Sequence, residues 1–211
     1  GRRASSWEGN PQRSMELHGE AVRADSTFAM AHAALAVNFF NRGDAELGMA
    51  AAERALRFSE RLGEFERARI EATYHLARRD YPESVRALQR ALAIDSLNHA
   101  SLNNIALAFD QMGDTARARE YFERAVRADT SRFFAYTNLG EHLVLEGRFE
   151  EAERAMEQAV ARAPRAAWPN FSLAQLPHVA GNSAEAERRL ERLIEDPSMP
   201  PGTKNAAEAR Y

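Results

Sequence analysis

The sequence predicts an all-α solenoid of helix–turn–helix units, and three observations predict it. Glycine recurs at a fixed interval: Gly113, Gly147 and Gly181 stand 34 residues apart, as do Gly9 and Gly43, while the step from Gly43 to Gly113 is two periods plus two residues. Inside each period the apolar and small residues follow helical spacing, and no Val/Ile-rich run alternates as a half-buried strand would. The turn chemistry agrees with that parse. Each glycine falls where a first helix ends, at a left-handed position free of Cβ penalty. Asp44, Asp114 and Asn182 follow at once and are expected to cap the second helices. Pro11 and Pro82 fall in first turns of second helices, where a missing N–H costs nothing.

Extending the register assigns the chain in order. Gly9 makes residues 1–8 the tail of a first helix, so 1–28 is a partial unit. A full unit spans 29–63, with Leu35, Ala36, Phe39, Ala52 and Ala55 at its inward positions. The unit at 64–98 is irregular; starting it at Glu64 rather than Phe65 puts Ile70 and Tyr74 inward and leaves Glu71 as the one misfit. The two extra residues are expected to lengthen the turn around 61–64. Units at 99–132, 133–166 and 167–200 follow, and 201–211 opens another, with Tyr211 at its eleventh position. Neither end shows the polar closing helix of a finished solenoid, so the chain is expected to be part of a longer protein. Pro177 stands inside the last first helix, where proline removes a hydrogen bond; that helix is expected to kink or end near Leu176.

The units HASLNNIALAFDQMGDTARAREYFERAVRADTSR (99–132) and FFAYTNLGEHLVLEGRFEEAERAMEQAVARAPRA (133–166) align without gaps. Counting within each, position 7 is Ile105 or Leu139, position 8 Ala106 or Gly140, and position 20 Ala118 or Ala152. Position 24 is Phe122 or Met156, and position 27 Ala125 or Ala159. This resembles the tetratricopeptide repeat, whose pattern puts small residues at 8, 20 and 27 and large apolar ones at 4, 7, 11 and 24. Small residues let two helices cross closely, and bulky ones fill the space beside the crossing. The resemblance implies a right-handed superhelix of about five full repeats with partial repeats at both ends.

It also implies a function: an interaction scaffold whose first helices line a concave groove for a peptide or protein segment. Carried over position by position, the wall includes Arg69 in the irregular repeat, and Asn103 and Asn104 in the next. Phe134, Thr137, Asn138 and Glu141 follow, then Trp168, Phe171, Gln175 and His178, with Met30, Val37 and Phe40 upstream. The amides suit an extended backbone, and Phe134, Trp168 and Phe171 form an aromatic strip that suits either a ligand's side chains or plain packing. The wall departs from the basic clamp with which some of these arrays grip acidic tails, since Arg69 alone among these positions is cationic. The stretch RLGEFERARIEATYHLARRDYPESVRALQRALAID is similar to repeats in the C-terminal halves of bacterial serine/threonine kinases. That similarity implies alternatives: a regulatory or sensory module of a larger bacterial enzyme, or a structural subunit of a multiprotein assembly.

Composition bounds the rest. The 211 residues, 45% of them apolar, suffice for a continuous core in stacked layers. There is no cysteine, which excludes disulfides, thiolate metal sites and cysteine catalysis. A formal charge of −3 argues against a nucleic-acid footprint. No apolar run reaches membrane-spanning length. The six histidines never stand three or four apart, as two zinc ligands on one helix face must, and neither a nucleophile elbow nor a phosphate loop is present. No catalytic site, metal or cofactor is therefore expected, and the partner is a protein or peptide, with self-association through uncapped ends as a further option. His18 is assigned to packing and His142 to the groove or surface. Arginine greatly outnumbers the single lysine, Lys204, which points to a GC-rich bacterial source. The compartment stays open, with the cytoplasm preferred over the periplasm.

Overall fold

The computed structural model describes residues 11–208. They form α-helices and one 3-10 turn, with no strand among the described residues, and divide into two compact units between Met112 and Gly113. The expected tail at residues 1–8, the turn at Gly9 and the place of Tyr211 lie outside the described residues.

The first unit contains α1 (Pro11–Ala24), α2 (Ala29–Asn41), α3 (Ala45–Arg57), the 3-10 turn (Ser59–Arg61), α4 (Glu64–Ala77), α5 (Tyr81–Ile94) and α6 (His99–Gln111). Each helix packs on the next, and α2 also packs directly on α4. The second unit contains α7 (Thr115–Ala128), α8 (Phe133–Leu145), α9 (Phe149–Arg162), α10 (Ala167–Val179), α11 (Ser183–Glu195) and α12 (Pro201–Glu208). Here α8 packs on α10, and α10 on α12. In both units, then, these successive first helices contact one another as well as the second helices between them.

The crossings are made by alanine. Ala36 and Ala52 in the first unit, and Ala118, Ala125, Ala152 and Ala159 in the second, are fully buried. Gly140 and Gly48 extend the same rule to zero side chain. A Cβ on Gly140 would stand 2.8 Å from Met156 Cγ and 3.2 Å from the Ala152 carbonyl oxygen, and one on Gly48 would stand 2.7 Å from the Phe40 ring. Larger side chains fill the space beside the crossings: Ile70, Leu102 and Ile105 in one unit, Phe122 and Met156 in the other. Burying a side chain of Phe122's size contributes about 2–3 kcal/mol.

The inter-helix turns are Schellman motifs. At Gly43 the glycine N–H donates to the Phe40 carbonyl (2.9 Å) and Asp44 N–H to that of Phe39 (2.9 Å); Gly147 and Gly181 repeat the pattern, with φ of +73° and +89°. The irregular repeat keeps the turn without the glycine. Arg79 takes the slot at φ +58°, with the same two bonds from Arg79 N–H to Leu76 and Asp80 N–H to His75. Asp114 and Asn182 cap their helices, accepting from the N–H groups of Arg117 (3.0 Å) and Glu185 (3.2 Å). Asp44 does not cap α3; its carboxylate turns back to Arg42, 3.4 Å away.

A second set of turns joins each repeat to the next. Asp25, Asp129 and Asp196 each accept from the N–H two residues on, that of Thr27, Ser131 or Ser198. At Asp129, partial desolvation works to raise the pKa, but the hydrogen bonds from Ser131 and Arg132 outweigh it and lower the carboxyl to about 2.

The two departures from the repeat pattern, one in length and one in residue type, are resolved locally. Helix α4 begins at Glu64, and Ile70 is buried while Tyr74 packs on the cluster of Ala36, Ala51 and Ala52. The misfit Glu71 is met by Arg90. The extra residues become the 3-10 turn and the extended pair Leu62–Gly63 ahead of α4. At Pro177 the helix does not end near Leu176: α10 continues through the proline to Val179. The proline cannot donate to the Leu173 carbonyl one turn back, but Arg189 Nη1 approaches that oxygen at 3.5 Å. The Pro177 carbonyl in turn accepts from Asn182 N–H at 2.7 Å, closing the Schellman turn.

Candidate functional site

The candidate wall is carried by the first helices, and each unit presents its share separately. In the first unit it is largely drawn inward. Met30 packs on the cluster of Ala29, Ala55 and Ile70, and Phe40 on that of Ala36, Ala51 and Ala52. Arg69 is half-buried with its guanidinium 5.5 Å from the Phe65 ring centroid. Burial pulls its pKa below the ordinary value, against the opposing attraction of Glu66 and Asp95. Asn103 is buried, at 5% exposure, so the amide expected to face a ligand is part of the interior. Asn104 is half-buried, and Val37 is exposed.

In the second unit the wall is more open, although two expected members fall away from it. Thr137 is fully buried and donates its hydroxyl to the Phe133 carbonyl of its own helix, at 3.1 Å. His142, expected in the groove or at the surface, is also buried. Its Nε2 lies 3.1 Å from the Thr115 carbonyl oxygen, and its ring centroid lies 5.4 Å from that of Phe122. One turn on, Glu146 holds Arg119 (2.8 Å) and Arg148 (3.2 Å). Desolvation would raise its pKa, but these arginine contacts prevail and hold it below the carboxylate range.

What remains is organised around Glu141 of α8. Its Oε1 accepts from the Trp168 indole Nε1–H at 2.6 Å and from the Ser172 hydroxyl at 2.8 Å, both on α10. Trp168 is 40% exposed. Phe134 is half-buried, edge-on to Phe133 with centroids 6.2 Å apart. Phe171 turns instead to the cluster of Ala174, Leu190, Leu193 and Ala207. The aromatic strip is thus uneven: Trp168 is presented, Phe134 partly so, and Phe171 packs. Asn138 and Gln175 are half-buried. His178 is exposed, with Nδ1 2.9 Å from the Ser183 hydroxyl.

Nothing in the sequence signals that Glu141 and Trp168 are joined, beyond their places on successive first helices. Nor does it signal a cleft of about 500 Å³ in the first unit, beneath the 3-10 turn and lined by Phe28, Phe58, Arg57 and Arg61. Among the described residues, no cluster of three or more His, Asp or Glu side chains is arranged to hold a metal ion, and no helix is long and apolar enough to cross a membrane.

Comparison with known proteins fits this geometry. Two tetratricopeptide repeat profiles match, one over residues 71–133 and the other over 143–198. The small glutamine-rich tetratricopeptide repeat-containing protein 2 of Mycosarcoma maydis is 28% identical over 101 residues, 48% of this chain and 29% of that protein. The chain therefore spans less than a third of the length of this curated relative. Among solved structures, a thermophilic repeat protein of Thermus thermophilus, TTC0263, is similar at a TM-score of 0.68 and 16% identity, over 86% of this chain and 97% of that one. YrrB is similar at a TM-score of 0.55 and 17% identity, over 92% and 99%. This chain belongs to the tetratricopeptide repeat family, with the all-α solenoid fold of that family. Membership supports a role as a protein–protein interaction scaffold.

Proposed function

We propose that the chain binds an extended peptide or protein segment along its first-helix wall, with α8 and α10 as the principal contact surface. The observation that carries this reading is the exposed indole of Trp168, held in place by Glu141. A large aromatic ring that is both presented and oriented is the usual anchor of a peptide groove, because little side-chain freedom is left to lose on binding. Asn138, Gln175 and Phe134 on the same two helices supply amides and a second ring. The structural relative YrrB is described as having an unusual peptide-binding site, which lends this use of the fold a precedent. The alternatives of a regulatory module within a larger bacterial enzyme and of a fixed assembly subunit use the same surface or the opposite one.

Selection from a displayed random-peptide library tests the proposal. Binders selected on the native chain should lose at least tenfold in affinity to the Trp168→Ala, Phe134→Ala double variant, with helicity by circular dichroism unchanged. Selected peptides that bind both proteins equally would move the contact away from this wall.

A further inference from the structure

We infer that the Glu141–Trp168 pair is a receptor for one basic side chain, so that the bound segment carries a lysine or arginine at this point; this rests on the groove reading above. The argument begins with how the carboxylate is used. Both of its protein donors, the indole N–H at 2.6 Å and the Ser172 hydroxyl at 2.8 Å, go to the same oxygen, Oε1. Oε2 has no hydrogen bond or ion pair to any group among the described residues. A carboxylate can accept several donors across its two oxygens, so half of this group's capacity is left open while the other half fixes its orientation. Two donors fixing one oxygen also remove the rotamer freedom that an exposed glutamate would surrender on pairing.

The indole held by the other oxygen of the same carboxylate is 40% exposed. An indole face attracts cations through its quadrupole, best of the aromatic side chains. An ammonium or guanidinium reaching Oε2 would lay its methylene stem along the ring, satisfying both halves of an amphipathic side chain at once. A neutral aliphatic side chain would use the ring alone, and an acidic one would meet repulsion from Glu141. Some acidic side chains of the second helices pair within the second unit, Glu151 with Arg148 and Glu153 and Glu185 with Arg189. Glu141 is oriented yet unpaired. The result is the reverse in sign of a groove that grips acidic tails.

The test uses the full chain with Trp7→Phe, which leaves Trp168 as the only tryptophan. The probes are the pentapeptide Ac-Ala-Leu-Lys-Leu-Ala-NH2 and its counterparts with norleucine or glutamate in place of lysine, titrated against Trp168 emission. The lysine peptide should bind saturably and at least tenfold more tightly than the norleucine peptide, with the glutamate peptide weakest. Glu141→Gln keeps an acceptor for Trp168 and Ser172, and should erase the lysine preference without altering the melting temperature by more than about 2 °C. Equal binding of the lysine and norleucine peptides, with Trp168 responding to both, would overturn the basic preference and leave the groove standing. Retention of the preference in Glu141→Gln would overturn the assignment to this carboxylate. Silence of Trp168 toward all three peptides would overturn the receptor, while the display experiment decides the groove independently.

Discussion

The α4–α5 hairpin departs from the repeat in length and the α10–α11 hairpin in residue type, and they absorb the departure by opposite means. Ahead of α4 the two extra residues become a 3-10 turn, and the glycine slot before α5 is filled by Arg79 at φ +58°. The backbone itself takes the load. In α10 the helix continues through Pro177 to Val179, and a side chain from α11 approaches the carbonyl that the proline leaves. Arg189 also pairs with Glu153 at 2.7 Å and Glu185 at 3.0 Å, so its guanidinium ties α9, α10 and α11 together. A repeat protein can therefore tolerate a length error by local rewinding, and a hydrogen-bond error by borrowing a donor from the neighbouring helix.

That contrast can be broken most directly at the proline. Pro177→Ala restores the missing N–H and should stabilise the protein by about 2–3 kcal/mol, the usual cost of an interior proline less what Arg189 recovers; thermal or urea unfolding would show it. A loss of stability would mean that the proline fits its site and that the helix bears no defect. Arg189→Met comes next, with an expected cost of about 2 kcal/mol from the Glu153 carboxylate and a carbonyl left without a donor and from the weakened hold on Glu185, which keeps Arg188. In the Pro177→Ala background the cost should shrink, and a double-mutant cycle with no coupling would separate the arginine from the proline.

Acid should expose a further difference. Glu185 has its pKa lowered, first by the hydrogen bond from Arg189 and then by that from Arg188. A carboxyl lowered in the folded state contributes stability that is present above its unfolded pKa, near 4.5, and is lost as pH falls through the lower folded value. The cost of Arg189→Met should thus diminish below about pH 4.5, while effects seated in the backbone stay constant. Arg79→Gly supplies the backbone case and the smallest effect. Relief of the left-handed strain, offset by the added freedom of glycine in the unfolded chain, should leave a gain of about 0.5–1 kcal/mol, equal at pH 4 and pH 7. A gain that titrates would assign the effect to the lost charge instead.

The glycine spacing made the helices and their turns legible because the left-handed turn is a strict backbone demand, met by glycine at Gly43, Gly113, Gly147 and Gly181. The choice of Glu64 as the start of α4 was legible for a similar reason: only that register turns Ile70 inward. The candidate site was less so. Position in a repeat assigns a residue to one side of a helix, but not its depth. Thr137 satisfies its hydroxyl within its own helix and Asn103 is buried, and nothing in their spacing separates them from Asn104 or Asn138. Asp44 illustrates the limit for caps, since Arg42 draws its carboxylate away from the helix it precedes. The continuation of α10 past Leu176 was not legible because the donor that approaches the Leu173 carbonyl, Arg189, comes from another helix.

The alanine crossings carry a consequence for how this protein would change under random mutation. A buried alanine has almost nothing to lose by truncation, so the familiar damage of a hollowed core does not arise there. Its danger is growth: a branched or long side chain at Ala36, Ala118, Ala152 or Ala159 must push two helices apart. A survey of all substitutions would therefore show bands of intolerance recurring with the repeat, each forgiving of glycine or serine and closed to valine or leucine. Drift along this chain would be policed by volume more than by polarity.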